Sequence, residues 1–401
     1  MELFPRHNYL QQLMSKRCTP DIKIITGIRR AGKSKLMQMY MDYLREIDPS
    51  CNVIFVDLRL LQSETLKEYH ALHDFVEKHY APRVNNYVCI DEVQLCPQFE
   101  LAINSLHATE RFDIYLTGSN AFMLSSDLAT LFTGRCIEIQ VFPFSFAEFV
   151  HYVGHGGEVQ SLLDRYVVEG GFSGSYLYAN ASDKTNYVRE AYTTIIQRDL
   201  IAKYNLPDAT MLSRLMEYML DNVSNISSPN GISSSLRQNG FDISHVTVAR
   251  YLDYIANSFL LYKIDRYDIK GKKYLQSLSK YYLTDSSIRY AVLGLRNMDW
   301  GRIYENLVCI ELLRRKYRVY VGKLYQKEID FVAMRGNDKI YIQVSDDISN
   351  TVTFEREYQP LLQIRDAYPR LIIARTRHQR YSYQGIQIVD LADWLLDLEM
   401  R

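Results

Sequence analysis

The sequence reads as an α/β protein of more than one domain, opening on a parallel sheet wrapped by helices. Three observations carry that reading. Residues 1–150 alternate apolar runs with amphipathic stretches, the pattern of repeated strand–helix–strand units. A glycine-bearing loop stands between the first apolar run and a stretch with helical spacing. At 401 residues the chain is also too long for one ordinary core.

Taken in order, Ile22–Ile25 is a short strand running directly into that loop. Lys33–Glu46 has helical spacing, with Leu36, Met37, Tyr40 and Leu44 on one face. Asn52–Leu58 is a second strand, and its near-continuous apolarity implies burial on both faces. Tyr87–Ile90 and Asp113–Leu116 are a third and a fourth, while the alternation in Ile137–Val141 suits an edge strand. Gly154-His155-Gly156-Gly157 then marks a flexible stretch, placing a first domain at 1–150. Residues 151–280 are expected to form a helical lid and a winged helix. Its helices are Leu212–Val223, Ile232–Gln238 and Ser244–Phe259, the last opened by a serine N-cap. Two strands over Leu260–Leu275 follow, around the tip Lys270-Gly271-Lys272-Lys273. Residues 281–401 form a last α/β domain with strands near 317–321, 328–333, 339–344 and 370–374.

Composition narrows the function classes. Hydrophobic residues at 47% and charged residues at 23% describe a folded soluble protein. No apolar stretch approaches the ~20 residues of a membrane helix, and no basic segment precedes an apolar one at the start. A cytoplasmic protein with no membrane partner is expected. The cysteines at 18, 51, 89, 96, 136 and 309 lack CxxC pairing and read as reduced, mostly buried thiols. Lys+Arg and Asp+Glu both number 47, which excludes a uniformly positive coat but leaves room for a local basic stripe. The 32 tyrosines can pack, hydrogen-bond or stack on bases.

The chemistry starts at Gly27-Ile28-Arg29-Arg30-Ala31-Gly32-Lys33-Ser34, followed by Lys35. Glycines at this spacing let backbone N–H groups curl around phosphates, Lys33 reaches the β- and γ-oxygens, and Ser34 offers a hydroxyl to Mg²⁺. A strand before the loop and a helix after it are the required setting. The third strand ends in Asp91-Glu92, which places Asp91 for the Mg²⁺ shell and Glu92 for polarising an attacking water. The fourth ends in Thr117-Gly118-Ser119-Asn120, where Ser119 or Asn120 can orient that water or sense the γ-phosphate. Arg135, ahead of the fifth strand, is a candidate arginine finger for a neighbouring subunit, or an ordinary surface arginine. No NKxD motif is present, so ATP is favoured over GTP.

These strings, together with Phe142-Pro143-Phe144-Ser145-Phe146-Ala147-Glu148-Phe149 and Gly170-Gly171-Phe172, resemble bacterial and archaeal AAA-type P-loop ATPases with a C-terminal domain of unknown function. The resemblance implies that Lys33 and Ser34 bind nucleotide and Mg²⁺, that Asp91 and Glu92 serve hydrolysis, and that Asn120 or Ser119 is the sensor.

In the back half, the third helix of the winged-helix pattern exposes His245, Thr247 and Arg250, and the wing tip carries Lys270, Lys272 and Lys273. Such a helix suits a DNA groove and such a wing suits phosphates, although ATPases also use winged helices as protein-docking modules. The last domain resembles a restriction-endonuclease-like core. Glu305 sits on a helix and Asp330 in a strand, while Gln343 and Ser345 occupy the strand where an active member carries Glu-x-Lys. A neutral amide binds Mg²⁺ poorly and a serine supplies no positive charge, so no nuclease activity is expected. Arg314, Arg315, Lys316 and Arg318 form a basic run suited either to a nucleic-acid backbone or to a solvated helix face. The reading is thus an oligomeric ATP-driven motor acting on DNA, branched or forked forms included. The rival is a signalling or scaffolding ATPase without DNA, and an active nuclease ranks below both.

Overall fold

The computed structural model describes residues 4–118, 132, 134–154, 157–294 and 299–397, the side chains of 276 and 277 excepted. The chain divides into two units: Met1–Phe142 with Asn257–Phe259, and Pro143–Ala256 with Leu260–Arg401.

In the first unit, β1 (Ile22–Thr26) is buried along its whole length, Lys23 and Thr26 included, with parallel neighbours on both sides. It pairs with β4 (Asp113–Thr117) and β5 (Cys136–Gln140), and β3 (Asn86–Asp91) links β4 to β2 (Asn52–Asp57). The order is β2-β3-β4-β1-β5, parallel throughout. The chain leaves β1 for β2 across two intervening strands, so the carboxyl ends of β1, β3 and β4 meet at a reversal of strand order, where α/β sheets bind ligands. Around them lie α1 (His7–Met14), α2 (Lys33–Ile47), α3 (Tyr69–Lys78) and α4 (Phe99–Ala108). Leu72, Val76, Ile103 and Leu106 of the last two pack on Val88, Ile90, Ile114 and Leu116 of the sheet.

Among the described strands β5 lies at the sheet edge, as its alternation implied. Strand β2 does not have the double burial its apolarity implied. Among the described strands it is the opposite edge, and Phe55 is left 40% exposed.

The second unit begins with α5 (Phe146–Val153), α6 (Val159–Glu169) and α7 (Ala181–Thr194), the last continued by a π-helical stretch, Ile195–Ala202. Then come α8 (Ala209–Asp221), α9 (Pro229–Gln238) and α10 (His245–Asn257). The Ser244 hydroxyl accepts from the Thr247 N–H at 3.1 Å, which is the serine cap expected for α10. Strands β6 (Leu261–Asp268) and β7 (Lys273–Leu283) form the hairpin after it. After α11 (Ser287–Leu293) the order is α12 (Trp300–Arg314), β8 (Arg318–Leu324), β9 (Lys327–Arg335), β10 (Asp338–Ser345), α13 (Thr351–Leu362) and β11 (Arg370–Ala374). The chain ends with β12 (Tyr381–Tyr383), β13 (Ile386–Asp390) and α14 (Leu391–Leu396).

The boundary drawn at 280 from the sequence falls inside one sheet, ordered β12-β13-β11-β10-β9-β8-β6-β7. Strand β6 pairs in parallel with β8, Arg266 opposite Val321, so the hairpin is the margin of the C-terminal sheet and not a free-standing wing. Tyr267 and Ile269 of the hairpin join the same core as Ile329, Tyr341 and Leu361. Three of the six thiols (Cys89, Cys96 and Cys309) are buried, Cys18 is exposed, and all six are free. Among the described residues no helix is long and apolar enough to cross a membrane.

One buried ion pair braces the parallel sheet. Lys23 Nζ, fully buried in β1, donates to Asp113 Oδ1 at 2.5 Å and to the Thr19 carbonyl at 2.7 Å. The other Asp113 oxygen accepts from the Tyr115 hydroxyl and the Cys18 N–H. Asp113→Ala leaves the Lys23 ammonium without its counter-ion and is expected to cost about 3–5 kcal/mol in urea unfolding. Lys23→Met with Asp113→Leu, which removes both charges, should cost distinctly less.

Candidate nucleotide site

The loop after β1 has a shape that only its own residues allow. At Gly27, φ is +130°, and a Cβ there would stand 2.1 Å from the Val141 carbonyl oxygen. Gly32, at φ +95°, opens α2. Lys33 is 4% exposed, and its Nζ donates to the Gly27 and Ile28 carbonyls at 2.8 and 3.1 Å. Arg6, ahead of α1, reaches in from outside the motif: its NH1 donates to the Ala31 and Phe142 carbonyls at 3.1 and 2.9 Å. The Tyr9 hydroxyl accepts from the Phe142 N–H at 3.1 Å. Helix α1 therefore ties the loop to the end of β5.

Ser34, on the first turn of α2, donates its hydroxyl to Asp91 Oδ1 at 3.1 Å. The sequence places these two groups 57 residues apart, and the strand order brings them together. Asp91, 1% exposed at the end of β3, also accepts at Oδ1 from the Thr117 hydroxyl, while Thr117 Oγ1 accepts from the Glu92 N–H at 2.9 Å. One threonine thus fixes both acids against the end of β4. Glu92 has a left-handed backbone, φ +56°, and its carboxylate accepts from the Gln94 side-chain amide. Asp91 Oδ2 accepts from Arg59 NH2 at 2.5 Å. Arg59 is anchored by a fork on Asp57, with Nε and NH2 at 2.9 and 2.8 Å from its two oxygens. The Arg59 guanidinium holds the Asp57 carboxyl below its usual range, and Asp57 raises Arg59 in turn.

Sequence reasoning proposes Gly27–Lys35, Asp91 and Glu92, and the structure brings loop, hydroxyl and acids together at one end of the sheet. It missed Arg6, Asp57, Arg59 and Thr117. Thr117 stands directly before the sensor candidates, and the local signal for Arg59 is an arginine two residues beyond a strand-end aspartate. Ser119 and Asn120 lie outside the described residues. Arg135 is exposed, and its carbonyl accepts from the Ile22 N–H at the start of β1. Gly27 lies at the other end of that five-residue strand, about 16 Å away at ~3.3 Å per residue.

The motif residues beyond the first unit are joined by backbone contacts. Phe144 N–H donates to the Gly171 carbonyl at 2.7 Å, and Gly171 N–H donates to buried Asp285 at 2.6 Å. A Cβ on Gly171 would stand 2.2 Å from the Phe144 oxygen. Ser145 and Glu148 form a reciprocal cap on α5. These residues build a structural junction within the second unit.

Glu305, Asp330 and Gln343 do come together, around a residue the sequence reading overlooked. Lys280 of β7 donates to Glu305 at 2.8 Å, and its Nζ lies 2.7 Å from Glu328 and 3.9 Å from Asp330. Burial pulls its ammonium down, but Glu305, Asp330 and Glu328 more than offset that and leave it above the usual lysine range. Burial, then the Glu305 charge, holds Asp330 well above the usual carboxylate range. Gln343 is used at both ends, accepting from the Asp330 N–H at 2.7 Å and donating to Glu357 at 2.8 Å. The carboxylates already face an ammonium, and among the described residues no group of three or more His, Cys, Asp and Glu is placed to hold an ion.

The basic run of Arg314, Arg315, Lys316 and Arg318 is divided between paired and exposed charges. Arg314 and Arg315 are both paired with Glu311, and they donate to the carbonyls of Pro143 and Trp394. Only Lys316 and Arg318 of the four are exposed. His245, Arg250, Lys270, Lys272 and Lys273 are exposed, while Thr247 is half-buried with its hydroxyl 2.9 Å from that of Ser244.

Comparison with known proteins bears on the family and the fold. Residues 19–150 match the family model described as AAA domain, and residues 160–299 match a domain of unknown function (DUF8612). An uncharacterized protein of Haemophilus influenzae is 34% identical over 399 residues, covering 98% of this chain and 99% of that one. The uncharacterized protein MJ1544 of Methanocaldococcus jannaschii is 26% identical over 345 residues, 82% of this chain and 76% of its own. Among solved structures, the Walker-type ATPase of Pyrococcus abyssi aligns with a TM-score of 0.50 at 16% identity, over 72% of this chain and 95% of that one. The chain therefore belongs to the family of the Haemophilus influenzae protein, and its first unit has the AAA-type ATPase fold.

Proposed function

We propose that the chain is a Mg²⁺-dependent ATP hydrolase of the AAA type, working in the cytoplasm as a homo-oligomeric motor on DNA. One observation carries the hydrolase reading: Lys33, Ser34, Asp91 and Glu92 converge at one sheet edge, with Thr117 bonded to both acids. Lys33 exchanges two loop carbonyls for phosphate oxygens, and the N-terminal end of α2 adds its dipole. Ser34 and Asp91 present a hydroxyl and a carboxylate oxygen 3.1 Å apart, a hard-oxygen pair that fits Mg²⁺. When bound, the ion neutralises charge on the phosphate oxygens. Glu92 orients and deprotonates the attacking water once its carboxylate leaves Gln94. Ser119 or Asn120 remains the proposed sensor of the γ-phosphate.

Arg135 stands at the wrong end of β1 to reach its own nucleotide, which favours action on a neighbouring subunit. The motor reading rests further on the second unit. Helices α8–α10 precede a basic-tipped hairpin, β6–β7, in the order proposed for a winged helix, although that hairpin is built into the C-terminal sheet, and α12-β8-β9-β10-α13-β11 comes in the order proposed for a restriction-endonuclease-like core. At the sheet margin, exposed Tyr274 and Tyr325 stand beside Lys270, Lys272 and Lys273, and Lys270 Nζ lies 4.6 Å from the Tyr325 ring centre. Stacking rings next to lysines suit a nucleic-acid strand. The second reading, a scaffolding ATPase without DNA, draws on the Lys280 cluster and the paired Arg314 and Arg315, whose charges are spent within the fold.

Lys33→Ala is expected to abolish ATP binding in equilibrium titration. Glu92→Gln should bind ATP with near-normal affinity but turn it over at least about a hundredfold more slowly; unchanged turnover removes Glu92 from the mechanism. Arg135→Ala should be inactive alone and regain activity when mixed with Glu92→Gln subunits, whereas no recovery contradicts a finger acting in trans. ATP turnover should rise with single-stranded, duplex or four-way-junction DNA and lose that stimulation as salt increases. Replacing Lys270, Lys272 and Lys273 by alanine should lower the slope of log affinity against log salt by about 2–3. No salt-sensitive binding by any of the three DNA forms would leave the scaffolding reading.

A further inference from the structure

We propose that Arg59 is a latch on the metal-binding acid: it competes with Mg²⁺ for Asp91 and must release that carboxylate when Mg·ATP is loaded. The inference rests on the hydrolase reading above and adds to it a positioning residue that lies outside every motif of the loop and of β3.

Three features of the geometry point to it. First, Asp91 is 1% exposed and its two oxygens are divided between roles. Oδ1 faces the Ser34 and Thr117 hydroxyls, and Oδ2 takes the Arg59 guanidinium at 2.5 Å. A guanidinium on one oxygen of a carboxylate lowers its attraction for a dication at the other, and brings two like charges within a few ångströms. Second, Arg59 has somewhere else to go. Its Nε and NH2 both bond Asp57, which lies opposite Asp91 in the β2–β3 register, so losing Asp91 leaves the arginine with its own counter-ion. A buried arginine with Asp91 as its only partner would be a fixed brace; this one is about half exposed and held from the side. Third, Arg59 leads directly into Leu60 and the turn Leu61–Lys67, and Leu60 and Leu61 are 43% and 86% exposed. Displacement of the guanidinium would therefore be felt at the margin of the described sheet, through a segment whose leading leucines are exposed and which is held by Ser63 and Leu66.

The latch predicts a particular split between nucleotide and metal. Without Mg²⁺, removing Arg59 should leave ATP affinity nearly unchanged, because Arg59 touches none of the loop groups that hold phosphates. With Mg²⁺, its removal should make metal binding easier. Arg59→Met keeps much of the aliphatic stem and removes the charge. The direct readout is binding of Mn²⁺, as a paramagnetic stand-in for Mg²⁺, followed by electron paramagnetic resonance on the full chain loaded with a non-hydrolysable ATP analogue. Arg59→Met should bind Mn²⁺ about three- to tenfold more tightly than the wild type, with nucleotide affinity in EDTA within about twofold. Arg59→Lys keeps the charge but cannot fork onto two carboxylates, and should shift in the same direction by less. This second variant decides the matter if the first fails to fold. An unchanged or weakened Mn²⁺ affinity in a folded variant overturns the latch, since Arg59 would then be a brace or a phosphate ligand. Failure of the wild type to bind the analogue at all would instead sink the hydrolase reading, which a Mg²⁺-free titration of the wild type registers separately.

Discussion

The buried carboxylate of Asp91 is the contact on which the ATPase unit turns. It joins the ends of three strands and one helix: its own β3, the Thr117 hydroxyl of β4, the Ser34 hydroxyl of α2 and, through Arg59, the end of β2. A carboxylate this deeply buried is tolerable only when hydrogen bonds and a cation surround it. The same partners that make its burial affordable also set its direction. Stability and function therefore draw on one set of contacts, and any ligand that engages Asp91 must rearrange them.

The strand order β2-β3-β4-β1-β5 makes this possible. With β1 between β4 and β5, the loop that follows it opens beside the ends of β3 and β4. The position of the loop is then secured from outside by Arg6, whose guanidinium bridges the Ala31 and Phe142 carbonyls. At the opposite end of the sheet, Lys23 and Asp113 tie β1 to β4. The central strand pair is pinned at both ends, while β2, with Arg59, lies at the margin.

Local signals were legible and distant ones were not. The loop between β1 and α2, the acids closing β3 and the serine cap of α10 are each written in a few consecutive residues. Thr117 and Lys280 act through partners 26 and 25 residues away, and the Arg59 contact with Asp91 spans 32; the Asp57–Arg59 spacing hints at the arginine but not at that second partner. Apolarity misled at β2 because a run such as Val53–Val56 looks the same in a central strand as in an edge strand that still exposes one residue, Phe55. The hairpin after α10 was read as a separate wing because its partner strand, β8, begins 50 residues beyond the end of β6. Arg314 and Arg315 read as a charged stripe on their own, but Glu311, on the preceding helical turn, neutralises them.

The central claim is that Lys33, Ser34, Asp91 and Glu92 act together on one Mg·ATP. Crystals of the Glu92→Gln variant grown with ATP and Mg²⁺ test it most directly. The account predicts phosphates within the Gly27–Ser34 loop, Lys33 turned from the Gly27 and Ile28 carbonyls to phosphate oxygens, and density for a metal between Ser34 and Asp91. Nucleotide bound elsewhere, or bound in the loop with Asp91 still closed on Ser34 and no metal between them, would contradict it.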